Sequence, residues 1–122
     1  MKLLSPRTHT IIGFITGLAL LAAPSVLDFR DVGGASVATS QLIGIIILLS
    51  ELTVQETFFG IGFVPIRIHL ILDMLLGAVL AISPWLFGFA SEEANAWMPH
   101  LVVGVFIIMY ALFTRADKQV AD

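Results

Sequence analysis

The chain has 122 residues, 58% of them apolar and only 12% charged, with a net charge of -3 and a mean hydropathy of +1.01. Soluble domains are roughly 45 to 50% apolar and 25% charged, so water is not the main solvent of this chain. The six Lys and Arg residues stand singly, which excludes the footprint of a nucleic-acid binder, and the lack of cysteine excludes disulfides and thiolate chemistry.

A helix needs about 20 mainly apolar residues to cross the hydrocarbon core. The first window of that kind is residues 10–27. Lys2 and Arg7 precede it as they would in a secretory leader, but Leu21 spoils the small-residue cleavage pattern before Ala23, so a retained span is expected. Asp28, Arg30, Asp31, Gly33 and Gly34 end it, and a second span is expected at residues 36–54. The link that follows is apolar at Phe58, Phe59, Ile61 and Phe63, while Gly60, Gly62 and Pro65 interrupt any helix. It is expected to lie along the membrane interface. A third span at residues 68–89 ends before Ser91, Glu92 and Glu93, and a fourth covers residues 95–114.

The fold class expected is therefore all-α, a four-transmembrane-helix bundle. Lys2, Arg7, Arg67, Arg115 and Lys118 fall on one side of the bilayer and only Arg30 on the other, which places both termini in the cytoplasm of a plasma or inner membrane. Trp85 and Trp97 then sit at outer helix ends, as an interfacial aromatic belt requires.

Sliding the chain by 60 residues aligns Arg7 with Arg67, His9 with His69, Gly17 with Gly77, Pro24 with Pro84, Phe29 with Phe89 and Gly44 with Gly104. Apolar matches between spans are cheap, so the weight rests on Arg, His, Gly and Pro recurring at one offset. The single membrane domain of residues 1–122 is expected to contain one repeat at about 7–54, a linker at 55–66, a second repeat at about 67–114 and a short cytoplasmic tail at 115–122. Two spans per unit make the copies parallel, related by a pseudo-two-fold axis along the membrane normal.

Ser83, Pro84 and Trp85, in the run from Ala81 to Phe89, resemble the motif of the SPW repeat family of small prokaryotic membrane proteins. The first unit has Ala23, Pro24 and Ser25 there and keeps only the proline. The resemblance implies paired transmembrane helices with the motif in the first of each pair. It implies no activity, catalytic residue or cofactor.

Pro84 removes a backbone donor and frees a carbonyl one turn earlier, which Ser83 can bond. His69 and Asp73 are four residues apart on one helical face. They read either as an intramembrane proton or cation site, or as an acidic residue near a helix start with water in reach. Gly13 and Gly17, with Gly77, Gly44 and Gly104, read as points of close helix packing, Gly13 leaving a space for Asp73 if the first and third spans meet. His9 and His69 lie at one end and His100 at the other, so the histidines alone make no metal site. Glu51 falls at the inner end of the second span.

Two functions follow as expectations. One is a structural or interaction bundle with the lipid bilayer, a second copy or another membrane protein as partner. The other is a proton, cation or solute transporter component acting as a homo-oligomer. An enzyme ranks last, because one imidazole and one carboxylate on a single helix do not make a catalytic set. The unequal copies place any function on the third span.

Overall fold

In the computed structural model, which describes residues 3–55 and 62–116, all four expected spans are helices. They are α1 (Pro6–Val26), α2 (Gly34–Thr53), α3 (Ile66–Leu86) and α4 (Ala94–Leu112). Each has 19 to 21 residues, and a rise of about 1.5 Å per residue makes them about 28 to 32 Å long, the thickness of the hydrocarbon core. Ile15, Leu18, Leu42, Leu49, Leu75, Ile82, Val102 and Phe106 point outward from the four helices. Apolar side chains over every outer face suit lipid and not water. The chain is a multi-pass, all-helical membrane protein.

Helix ends follow local chemistry. α1 begins four residues before the expected span because Ser5 Oγ accepts the Thr8 N–H at 3.1 Å and Pro6 stands at the first helical position. It closes with Asp28 at φ 60° and with Phe29 N–H donating to the Pro24 carbonyl at 2.9 Å. α3 closes the same way, with Gly88 at φ 78° and Phe89 N–H on the Pro84 carbonyl at 2.7 Å. These are Schellman-type ends, and they stop α3 at Leu86, before the expected residue 89.

α1 packs chiefly on α2 and α3 on α4, giving two antiparallel hairpins. Glycine sets both approaches. A Cβ on Gly44 would lie 2.9 Å from the Gly17 carbonyl oxygen, and one on Gly104 would lie 2.5 Å from both Gly77 O and Ala81 N. Gly17, Gly44, Gly77 and Gly104 are thus points of close approach between helices.

The hairpins meet in one core of Leu20, Ile43, Ile47, Leu80, Ile107 and Tyr110. Leu20 with Leu80, and Ile47 with Ile107, stand 60 positions apart, as do the starts of α1 and α3 and those of α2 and α4. The same offset relates two isolated bridges, Leu4 with Thr114 and Val54 with Val64. Leu4 N–H donates to Phe113 O at 2.8 Å where Val64 N–H donates to Thr53 O at 2.9 Å. These segments close one end of the bundle, over an apolar cluster of Val54, Ile66, Leu70 and Ala111. The interfacial placement expected of Phe58, Phe59 and Ile61 lies outside the described residues.

The glycine contacts make a direct prediction. Gly104→Ala forces two backbones apart and should lower stability by about 1 to 3 kcal/mol, whereas Gly88→Ala should cost about 1 kcal/mol through its positive φ alone. Unfolding in detergent micelles, followed by circular dichroism, measures both.

Candidate functional site

At the end of the bundle where Leu4 pairs with Thr114, two histidines and two acids among the described residues have no contact with solvent. His9 comes from the first turn of α1, Glu51 from the last turn of α2, and His69 and Asp73 from the first two turns of α3. Each is 0% exposed. One donor atom from each lies within 4.8 Å of all the others.

The contacts cross between hairpins. His9 Nε2 is 2.6 Å from Asp73 Oδ2, and His69 Nε2 is 3.0 Å from Glu51 Oε2. His69 Nε2 is also 3.3 Å from Asp73 Oδ2, so the pairing expected four residues apart on α3 is present. The two imidazoles meet edge to face with centroids 5.1 Å apart. Both turn Nε2 inward and give Nδ1 to a hydroxyl of the opposite hairpin. His9 Nδ1 is 2.9 Å from Thr114 Oγ1, and His69 Nδ1 is 2.9 Å from Ser50 Oγ. Thr114 spends its own hydrogen on the Tyr110 carbonyl at 2.6 Å. His9 Nδ1–H is therefore the donor to Thr114, and Nε2 needs a further proton, its own or the carboxyl's, to bond Asp73.

The cluster is not self-satisfied. Glu51 Oε1 and Oε2, His69 Nε2 and Asp73 Oδ1 are buried without a hydrogen-bond partner. The 3.0 Å ion-pair distance between His69 and Glu51 thus lacks hydrogen-bond direction. Buried polar atoms normally find partners, and carboxylate oxygens most of all.

Several expectations change here. Asp73 is fully buried and not at an exposed helix start, with His9 and His69 over its carboxylate. Gly13 does not make room for Asp73. A Cβ there would lie 2.5 Å from the carboxyl carbon and Oε2 of Glu51, so the missing side chain admits Glu51 from the same hairpin. Nor does the site sit on α3 alone, since α1 and α2 supply half of its donors. At the 60-residue offset Gly13 aligns with Asp73, and Glu51 aligns with Ala111. Each hairpin therefore contributes one carboxylate, the first from its second helix and the second from its first. Half of that exchange, Gly13 against Asp73, is read directly from the sequence offset, and the other half, Glu51 against Ala111, stands at the same offset.

Ser83, Pro84 and Trp85 lie at the opposite end. Ser83 Oγ donates to the Leu80 carbonyl at 2.7 Å, the group that Pro84 leaves without an amide partner. In α1 Ala23 cannot do this, and Ser40 Oγ of α2 reaches the Leu20 carbonyl at 2.6 Å instead. Trp85 is exposed and meets Trp97 edge to face, centroids 5.7 Å apart, beside the loop 87–93. His100 is buried there between Phe29 and Phe89, its Nε2 donating to the Ser36 carbonyl at 2.9 Å.

A family model described as the SPW repeat domain matches residues 7–114, nearly the whole chain. The chain belongs to the SPW repeat family. No curated protein and no solved structure matches it. The family model spans both hairpins, so Ala23, Pro24 and Ser25 fall in the same matched region as Ser83, Pro84 and Trp85.

The carboxylate exchange can be tested by a swap. Gly13→Asp adds a third buried carboxylate against Glu51 and should cost about 3 to 5 kcal/mol. In Gly13→Asp with Glu51→Ala the first hairpin copies the second, and most of that loss should be recovered. A thermal-unfolding double-mutant cycle reads the coupling, and additive losses would show that the two positions do not share the space.

Proposed function

We propose that the protein is a membrane-embedded bundle that binds a cation between its two hairpins, with the terminus-bearing end and its cluster facing the cytoplasm. One observation carries this reading. Glu51 and Asp73 are fully buried inside spans, and three of their four oxygens have no hydrogen-bond partner. An ionised carboxylate removed from water costs several kcal/mol unless a positive charge or donors face it. A cation held among the four side chains would satisfy those oxygens and reinforce the joint between the hairpins.

The recurrence of helices, bridges and core residues at one offset supports two tandem parallel copies, at about 7–54 and 67–114, related by a pseudo-two-fold axis along the membrane normal. Orientation rests on the basic residues. Arg7, Arg67 and Arg115 flank the end that holds the cluster, while Arg30 lies in the loop at the other end. The bilayer is the surrounding partner. Binding needs no second copy, but transport would need one, since the donor atoms are sealed within this bundle.

A bundle that is only structural would keep the same contacts without a bound ion, and ligand-dependent stability separates the two. An ion present at about 100 times its dissociation constant should stabilise the fold by about 2.7 kcal/mol. Screening thermal unfolding against sodium, potassium, magnesium, calcium, manganese and zinc should find such an ion for the natural chain, and Asp73→Asn should abolish the gain. No stabilisation by any of these ions would leave the structural bundle as the function. Orientation is checked separately, because the chain has no cysteine. Ser91→Cys should react with an impermeant maleimide on intact cells, and Lys118→Cys only after permeabilisation.

A further inference from the structure

We infer that the cluster is a site for one divalent transition-metal ion, held by His9 Nε2, His69 Nε2, one oxygen of Glu51 and one oxygen of Asp73. The inference rests on the cation-binding reading above and names the ion class.

Donor chemistry makes the first selection. Two imidazole nitrogens with two carboxylates suit zinc, iron, manganese or cobalt, whereas calcium takes six to eight oxygen ligands and magnesium keeps several waters. Charge makes the second. Two carboxylates with two neutral imidazoles carry two negative charges, and one divalent ion cancels both without any proton. In a bilayer segment a neutral site is favoured over one that keeps a net charge.

Geometry makes the third. Bonds of about 2.0 to 2.1 Å at a tetrahedral ion place neighbouring donors about 3.3 Å apart. Here Asp73 Oδ2 lies 2.6 Å from His9 Nε2 and 3.3 Å from His69 Nε2, and Glu51 Oε2 lies 3.0 Å from His69 Nε2. All four donors fall within 4.8 Å. Seating the ion would open the closest pair by about 0.7 Å and draw the widest in by up to about 1.5 Å, toward the tetrahedral spacing.

The surrounding groups are arranged as a ligand set requires. A metal-bound imidazole donates its other N–H to an oxygen, which fixes the tautomer. Thr114 Oγ1 accepts from His9 Nδ1 and Ser50 Oγ pairs with His69 Nδ1, each at 2.9 Å, so both rings turn Nε2 toward the carboxylates. Glu51 is fully buried with both oxygens unpartnered, and Gly13 leaves the room that brings its carboxylate inward.

The test uses the full chain purified in detergent, stripped with EDTA and dialysed against zinc or cobalt(II). Elemental analysis should find one ion per chain, and cobalt should show the intense visible bands of a low-symmetry tetrahedral site. Glu51→Gln should weaken cobalt binding by a hundredfold or more. Thr114→Val and Ser50→Ala, which remove no ligand, should each weaken it about tenfold, an effect expected of groups that hold the imidazoles.

If the stripped natural chain, still helical and monodisperse, takes up no zinc or cobalt, the inference is overturned whatever the variants do. Retention of one ion in a folded His9→Ala, His69→Ala double variant would overturn it too. Stabilisation by sodium or potassium without uptake of zinc or cobalt would remove the metal and leave the cation-binding reading intact. No response to any ion would remove both.

Discussion

The joint between two hairpins is the constraint on which this molecule depends. In lipid, apolar faces gain little by leaving one another's company, since acyl chains are as apolar as leucine, so helices associate through close packing and polar contacts. Within each hairpin close packing suffices, because Gly17 and Gly44, or Gly77 and Gly104, bring two backbones together. Between hairpins the contacts are sparser, and all three histidines cross that boundary: His9 to Asp73 and Thr114, His69 to Glu51 and Ser50, His100 to the Ser36 carbonyl. Each imidazole offers two polar edges on one rigid ring, which lets it tie two groups without a long, flexible side chain.

A joint of this kind restricts the residues around it. A second copy of the first hairpin would bring Glu51 and its counterpart but leave no acid on α3, while a second copy of the second hairpin would do the reverse. The chain instead places one acid on α2 and one on α3, the pair of helices with the most extensive contact across the boundary. Gly13 and Ala111 are the complements of that choice, small where the other copy carries its acid. The unequal hairpins thus distribute the four clustered side chains over three helices.

Much of the architecture was legible because each span satisfies a one-dimensional rule: enough apolar residues in a row, closed by glycine or charge. The packing glycines were legible for a similar reason, since their partners recur at the same offset. His69 with Asp73 is local on one helix and could be read from spacing. His9 with Asp73 joins positions 64 apart, and no periodicity carries that information. Glu51 was passed over because an acid near a span's end has an ordinary explanation at the interface. The fold removes that explanation by drawing Leu4, Val54, Val64 and Thr114 into bridges behind it. Helix boundaries moved for local reasons, a serine cap at one end and positive-φ turns at the other.

The same logic separates the family motif from the polar cluster. Pro84 leaves the Leu80 carbonyl without its amide, and in hydrocarbon that group must be answered inside the protein. Ser83 answers it from the same helix, and in the other copy Ser40 answers Leu20 from the neighbouring helix. Two sequences thus solve one backbone problem, so Ala23 in place of serine repairs differently and loses nothing essential to the span. Ser83 and Ser40 sit in the half of the bundle that holds the Trp85 and Trp97 pair, while the unsatisfied carboxylates sit at the far end. A proline repair leaves its polar groups satisfied. At the far end Glu51, His69 and Asp73 keep buried polar atoms without a partner, four of them on three side chains, and no backbone repair accounts for them.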